Sequence, residues 1–136
     1  VFLLDTTVWI DLIRTNSPSI RQKLSEHSNA VIGLSIITLS ELQFGLERHV
    51  QTHPLLRVRR QSLLAAILAP FQIYALDQNV AGIYGRIRAA LQSSGAGIGP
   101  LDTFIAAQAL SLGATLITSN TKEFSRVPGL PIDNWR

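Results

Sequence analysis

Val1-Phe2-Leu3-Leu4-Asp5-Thr6-Thr7-Val8-Trp9-Ile10-Asp11-Leu12-Ile13-Arg14 opens the chain and decides its class. Four consecutive apolar residues have the length of a strand buried on both faces, and Asp5 ends the run. Positions 8–14 mix apolar and polar residues at helical spacing, so strand passes into helix directly across Asp5-Thr6-Thr7.

The same alternation recurs downstream. Ser17-Pro18 marks a turn before a polar helix at 19–27, and residues 30–36 read as a second buried strand. A helix is expected to begin near Thr38, and residues 55–68 supply the second arm of a helical hairpin that Pro70 ends. Residues 71–76 form a third strand, and Asp77 caps a helix that ends near Ser93. After the Gly-rich loop at 94–99, Pro100 starts a helix that Gly113 stops. Residues 114–118 make a fourth strand, 120–124 a loop or short helix, and 130–133 an edge strand interrupted by Pro131. Short strands that are apolar throughout, alternating with helices, predict an α/β domain: three layers, α/β/α, around a central parallel sheet.

Composition narrows the chemistry. The 136 residues fit one domain spanning 1–136, and 46% hydrophobic against 15% charged content supplies a core and excludes disorder as the main state. Cys is absent, so there is no disulfide framework, thiolate nucleophile or Cys-ligated metal, and an intracellular location is allowed. No apolar stretch approaches the roughly 20 residues needed to cross a bilayer, and no signal peptide is visible. Twelve basic against nine acidic residues give a charge of +3, carried mostly by Arg, whose planar fork suits phosphate.

In parallel sheets, functional groups gather where strands turn into helices at their carboxyl ends. Asp5, Glu41, Asp102 and Asn120 are all expected there. Oxygen donors of this kind suit a hard cation, Mg²⁺ or Mn²⁺, and bare carboxylates about 4 Å apart would repel one another by about 4 kcal/mol at an effective dielectric near 20. Each residue also has a plain structural use. Asp5 can cap its helix, Thr38-Leu39-Ser40-Glu41 fits a capping box, Asp102 complements a helix N-terminus, and Asn120 is a common turn residue. Other chemistries fit less well. A haloacid dehalogenase needs a second Asp at position 7, which is Thr. The glycines at 95–99 lack a following Lys-Ser/Thr, and His27, His49 and His53 have no ligand spacing.

Four segments carry a family resemblance. They are Leu3-Leu4-Asp5-Thr6-Thr7-Val8-Trp9-Ile10-Asp11; Ser35-Ile36-Ile37-Thr38-Leu39-Ser40-Glu41-Leu42 with Gly45; Ile98-Gly99-Pro100-Leu101-Asp102-Thr103-Phe104-Ile105-Ala106-Ala107; and Leu116-Ile117-Thr118-Ser119-Asn120-Thr121-Lys122-Glu123-Phe124 with Val127-Pro128-Gly129-Leu130. In this order they resemble the PIN-domain ribonucleases of VapC toxins. The resemblance implies about five parallel strands and a cytoplasmic, Mg²⁺- or Mn²⁺-dependent endoribonuclease, the toxin of a type II toxin-antitoxin system. Its partners would be a VapB-type antitoxin and RNA, transfer RNA being the first guess, with a homodimer and a higher assembly with antitoxin. Asp5, Glu41 and Asp102 match the family's acidic positions as metal ligands. Asn120 stands where members often carry a fourth acid, and Thr7 where they carry Asn or Ser. Thr6, Thr7 and Thr118 are expected to orient water, and Glu123 is a candidate for the missing acid. Arg57, Arg59, Arg60, Arg86 and Arg88 lie on helices that can flank the acids, Arg86 and Arg88 being the RNA-contact candidates. The alternative is a non-cleaving RNA- or protein-binding PIN module, motivated by Asn120.

Overall fold

A computed structural model describes residues 1–136. Five parallel strands, β1 (Phe2–Leu4), β2 (Ile32–Ser35), β3 (Gln72–Tyr74), β4 (Thr115–Ile117) and β5 (Ile132–Asp133), lie in the order β3-β2-β1-β4-β5. Every pairing is parallel, so each connection crosses over a face through at least one helix. The helices are α1 (Thr6–Thr15), α2 (Pro18–Glu26), α3 (Ile36–Thr52), α4 (Arg57–Leu68), α5 (Gln78–Ser93), α6 (Pro100–Leu112) and α7 (Thr121–Phe124). A 3₁₀ turn, Pro54–Leu56, joins α3 to α4. The predicted α/β/α class and strand number are both present.

The sheet divides the apolar residues into two cores. Leu3 and Leu116 face α5 and α6, through Val80, Ile87, Leu91, Ile105 and Ala106. Leu4, Leu34 and Ile117 face the other side, where Trp9, Ile20, Leu42, Leu64 and Leu68 pack. Alternation of side chains along each strand produces this division, sending Leu3 and Leu4 of β1, and Leu116 and Ile117 of β4, to opposite faces. Trp9 is fully buried and its indole N–H donates to Leu4 O at 3.1 Å, locking α1 against the strand that precedes it.

Some boundaries differ from expectation. Helix α3 begins at Ile36, because Ser35 takes the cap position and its hydroxyl accepts from Ile37 N at 3.1 Å. Thr38 therefore lies inside the helix, and Thr38 to Glu41 is not a capping box. Helix α2 starts at Pro18 with Ser17 as its cap, a position that costs Pro nothing because its missing N–H would be unbonded there. Residues 120–124 resolve into α7, capped at Asn120, and β5 begins just after Pro131, at the sheet edge where a missing donor is tolerated.

Gly33 has a specific cause within β2. A Cβ there would lie 2.4 Å from Gln72 O and 2.7 Å from the Tyr74 ring, so β3 can approach only a glycine. Gln108, almost fully buried on α6, donates to Tyr74 O and Ala75 O at 3.1 and 3.0 Å, fastening α6 to the end of that strand. The helix whose first turn carries Asp102 is thereby tied to the carboxyl end of β3.

Candidate metal and nucleic-acid site

The carboxyl ends of β1, β2 and β4 bring the predicted polar residues together. Asp5 follows β1 and is 4% exposed, so both of its oxygens need partners. Oδ1 accepts from Thr6 N at 2.7 Å, as a helix cap, and Oδ2 accepts from Thr118 Oγ1 at 2.8 Å. The plain structural use and a site role therefore coexist in one side chain. Burial raises the Asp5 carboxyl above its ordinary range; the Thr118 and Thr6 hydrogen bonds oppose the shift, and the Glu41 charge adds to it.

Glu41 reaches the same edge from the second turn of α3. Thr6 Oγ1 lies 2.9 Å from Glu41 Oε1 and 3.1 Å from Thr38 Oγ1. A hydroxyl has one hydrogen, so when Thr6 donates to the carboxylate, Thr38 supplies the hydrogen for the other contact. The buried threonines thus fix one oxygen of Glu41 and leave the other without a hydrogen bond.

Asp102, in the first turn of α6, accepts no hydrogen bond. Its pKa is pushed up to about 6, first by desolvation, then by the charges of Asp5, Glu123 and Glu41. Four carboxylates consequently share one electrostatic field. They do not close into a three-residue cage. That arrangement suits an ion such as Mg²⁺, which keeps several waters and takes one or two carboxylates directly. An all-oxygen donor set, crowded by like charge and incompletely hydrogen-bonded, fits a hard divalent cation.

Where the resemblance leads to an acid, Asn120 stands in contact with the acid three residues on, Glu123. Asn120 Nδ2 donates to Glu123 Oε2 at 3.0 Å, and its backbone N–H donates to Thr118 Oγ1 at 2.9 Å. The amide holds the Glu123 carboxylate near Asp102, whose pKa it raises. The only sequence signal for this was the three-residue spacing across a helix start, which places both side chains on one face. Thr7, more exposed, lies with its hydroxyl 3.3 Å from Ser119 Oγ, bridging the starts of α1 and the β4 exit.

The arginines divide differently from expectation. Arg57 is held by Glu47, with Nη2 to Oε2 at 2.8 Å, and is removed from the set of free cations. Arg60 lines a groove of about 410 Å³ beside Glu41, together with Arg14 and His49 over Ile10, Leu42 and Leu64. Sequence reasoning missed Arg14, since nothing in its neighbourhood announces that α1 and α4 converge. Arg59 and Arg86 are exposed and make no hydrogen bond or ion pair, and Arg88 donates to Tyr84 Oη at 2.8 Å.

Known proteins share this sequence and fold. Residues 2–130 match the PIN domain family. The chain is 32% identical over 136 residues to a protein named ribonuclease VapC2 from Rickettsia felis, covering 99% of this chain and 98% of that one. It is 31% identical over 134 residues to a tRNA(fMet)-specific endonuclease VapC from Salmonella typhimurium, covering 98% and 97%. Among solved structures, VapBC2 from Rickettsia felis bound to a DNA fragment from its promoter superposes with a TM-score of 0.90 at 32% identity, over 99% of this chain and 98% of that one.

Proposed function

Because this chain belongs to the PIN-domain family of VapC ribonucleases, we propose that its carboxylate cluster cuts RNA. The protein is the ribonuclease toxin of a type II toxin-antitoxin pair, and residues 1–136 act as one PIN domain. The observation that carries the site assignment is Asp102, a carboxyl without a hydrogen bond whose protonation is favoured by burial and three acidic neighbours. A cation bound there would relieve that repulsion.

PIN ribonucleases need a divalent metal, here assigned as Mg²⁺, with Mn²⁺ as a substitute. Asp5 and Asp102 would hold the ion directly, and Glu41 and Glu123 would do so directly or through water. When bound there, the cation supplies positive charge to the phosphodiester and acidity to water. The protein's own groups do the rest. Thr6 holds one oxygen of Glu41, so the other is aimed and free to accept a proton from the attacking water. Thr118 and the Thr6 amide keep the buried Asp5 oriented for ligation. Asn120 retains its carbonyl oxygen as an acceptor while its amide group positions Glu123. Thr7, on the exposed side, can order water at the rim. The non-cleaving alternative drew its force from Asn120, and the Asn120–Glu123 contact supports the cutting reading by supplying an acid nearby.

A VapB-type antitoxin is the partner. The groove between α1, α3 and α4 supports a mode of inhibition, because a segment seated over Ile10, Leu42 and Leu64 would lie against Glu41. Exposed Phe44, Leu55 and Val58 offer an apolar face to a second copy, which sedimentation at several concentrations would reveal. Transfer RNA is the substrate we favour, by similarity to the Salmonella enzyme's name. The test is sequencing of RNA ends after brief expression of wild type, Asp5→Asn and Asp102→Asn. New ends confined to wild type are expected, and equal cleavage by all three would overturn the assignment.

A further inference from the structure

Phe104, Tyr84 and Arg88 form a pile beside the first turn of α6. The Tyr84 and Phe104 rings stack with centroids 4.0 Å apart and planes 20° from parallel. The Arg88 guanidinium lies 5.9 Å from the Tyr84 centroid and donates to Tyr84 Oη at 2.8 Å. Both rings are half-buried against the α5–α6 core, while Arg88 is exposed. Phe104 is two residues beyond Asp102 in α6, about 3 Å along the axis and about 200° around it, so the pile and the carboxylate leave the helix on opposite sides.

Arg88 also lines a small cavity of about 70 Å³ with Gly97, Pro100 and Thr103. Across the loop, Arg126 Nη1 donates to Gly97 O at 3.2 Å. Two guanidinium groups therefore flank residues 97–100, which lead directly to Asp102. No carboxylate pairs with either of them. A cationic surface next to an acidic centre complements a polyanion whose one phosphate is being attacked and whose neighbours need neutralising.

We propose that Arg88, braced by Tyr84 on Phe104, is a stacking shelf for an unpaired base of the RNA, reached from the cut along residues 97–100. The site presupposes the ribonuclease activity and adds how the strand is held. A guanidinium plane takes a base face as aromatic rings do, and the ring pile behind it keeps that plane in place. Most exposed arginines must be ordered when RNA binds; this one is ordered beforehand, so less conformational freedom is lost. Arg86, two residues from both Tyr84 and Arg88, lies on the opposite face of α5 and has no partner, so it lacks this preparation. Stacking tolerates any base, so the shelf selects single-stranded or looped RNA over a duplex without reading sequence.

The experiment uses the full chain carrying Asp5→Asn, which keeps RNA intact, and single-stranded RNA oligonucleotides with 2-aminopurine placed at each position in turn. Quenching of the fluorophore at one position is expected with Arg88 present. Arg88→Lys should abolish the quench and weaken binding about tenfold with the salt slope unchanged, since charge remains. Arg88→Gln should abolish the quench and also flatten the slope by about 0.7, one phosphate contact on a single strand. Tyr84→Phe, which keeps the ring and removes the brace, should weaken the quench without lowering thermal stability. The proposal is overturned if no labelled position is quenched, if Arg88→Lys behaves as the parent, or if Arg88→Lys changes the sedimentation coefficient, which would assign this face to a second copy. Cleavage by the chain with Asp5 intact, measured in parallel, separates failure of the shelf from failure of the ribonuclease assignment.

Discussion

Thr118 Oγ1 donates to Asp5 Oδ2 at 2.8 Å, joining residues 113 positions apart, and the same oxygen accepts from Asn120 N at 2.9 Å. One buried hydroxyl thus ties the exits of β1 and β4 together and orients the carboxylate between them. Thr118→Val keeps the shape and removes both bonds. It should cost about 1–3 kcal/mol in urea unfolding, because a buried carboxylate and a backbone N–H lose their partners, and it should lower RNA cleavage. Thr118→Ser should recover most of both, whereas a Val variant as stable and active as wild type would refute this role.

Asp102 should make the metal-free protein less stable as pH rises. Its folded pKa of about 6 lies above the ordinary value of 3.8, so the folded state binds more protons between roughly pH 4 and 6. The burden is absent below that window and fully present above it. Asp102→Asn should therefore stabilise the chelated protein at pH 7.5 by about 1 kcal/mol, after allowance for solvent screening of a half-exposed group, and by nothing at pH 3.5. Urea titrations of both proteins in chelator at the two pH values decide the matter.

Divalent cation should reverse that order. A ligand bound only by the folded state adds about 1.4 kcal/mol at tenfold excess over its Kd. Mg²⁺ should raise the melting temperature of wild type, Asp102→Asn should lose the shift, and Glu123→Gln should need more Mg²⁺ for the same shift. A Glu123→Gln midpoint equal to wild type would leave Glu123 out of the site.

Gly33→Ala should be costly for a reason local to β2. Its Cβ would meet backbone oxygen at 2.4 Å, and a strand paired on both sides has little room to yield. A loss of about 3 kcal/mol is expected in chemical denaturation. Gly85→Ala in α5, with nothing within 4 Å of the new methyl, should instead gain about 0.5–1 kcal/mol, so the pair separates crowding from propensity.

Much of the site was legible because strand ends announce themselves. An apolar run closed by Asp5, another over residues 30–36, and Pro100 two residues before Asp102 place those carboxylates relative to the sheet. Glu41 is expected at the sheet edge from its position just after the second strand, and the capping box that is its alternative structural use does not form. Ser35 and Thr38 are both acceptable caps, and β2 ends at Ser35, so the helix begins there and carries Glu41 into its second turn.

The order of strands and helices, the apolar faces that make the sheet parallel and covered, and the all-oxygen chemistry were determined by the sequence alone, since they follow from periodicity and from which side chains exist. Tertiary structure decided which oxygens find hydrogens, that Glu123 leans on Asn120 toward Asp102, that Arg57 is taken by Glu47, and that Arg88 is propped on Tyr84. These outcomes depend on distances of a few tenths of an ångström between residues far apart in the chain, and no local pattern encodes such distances.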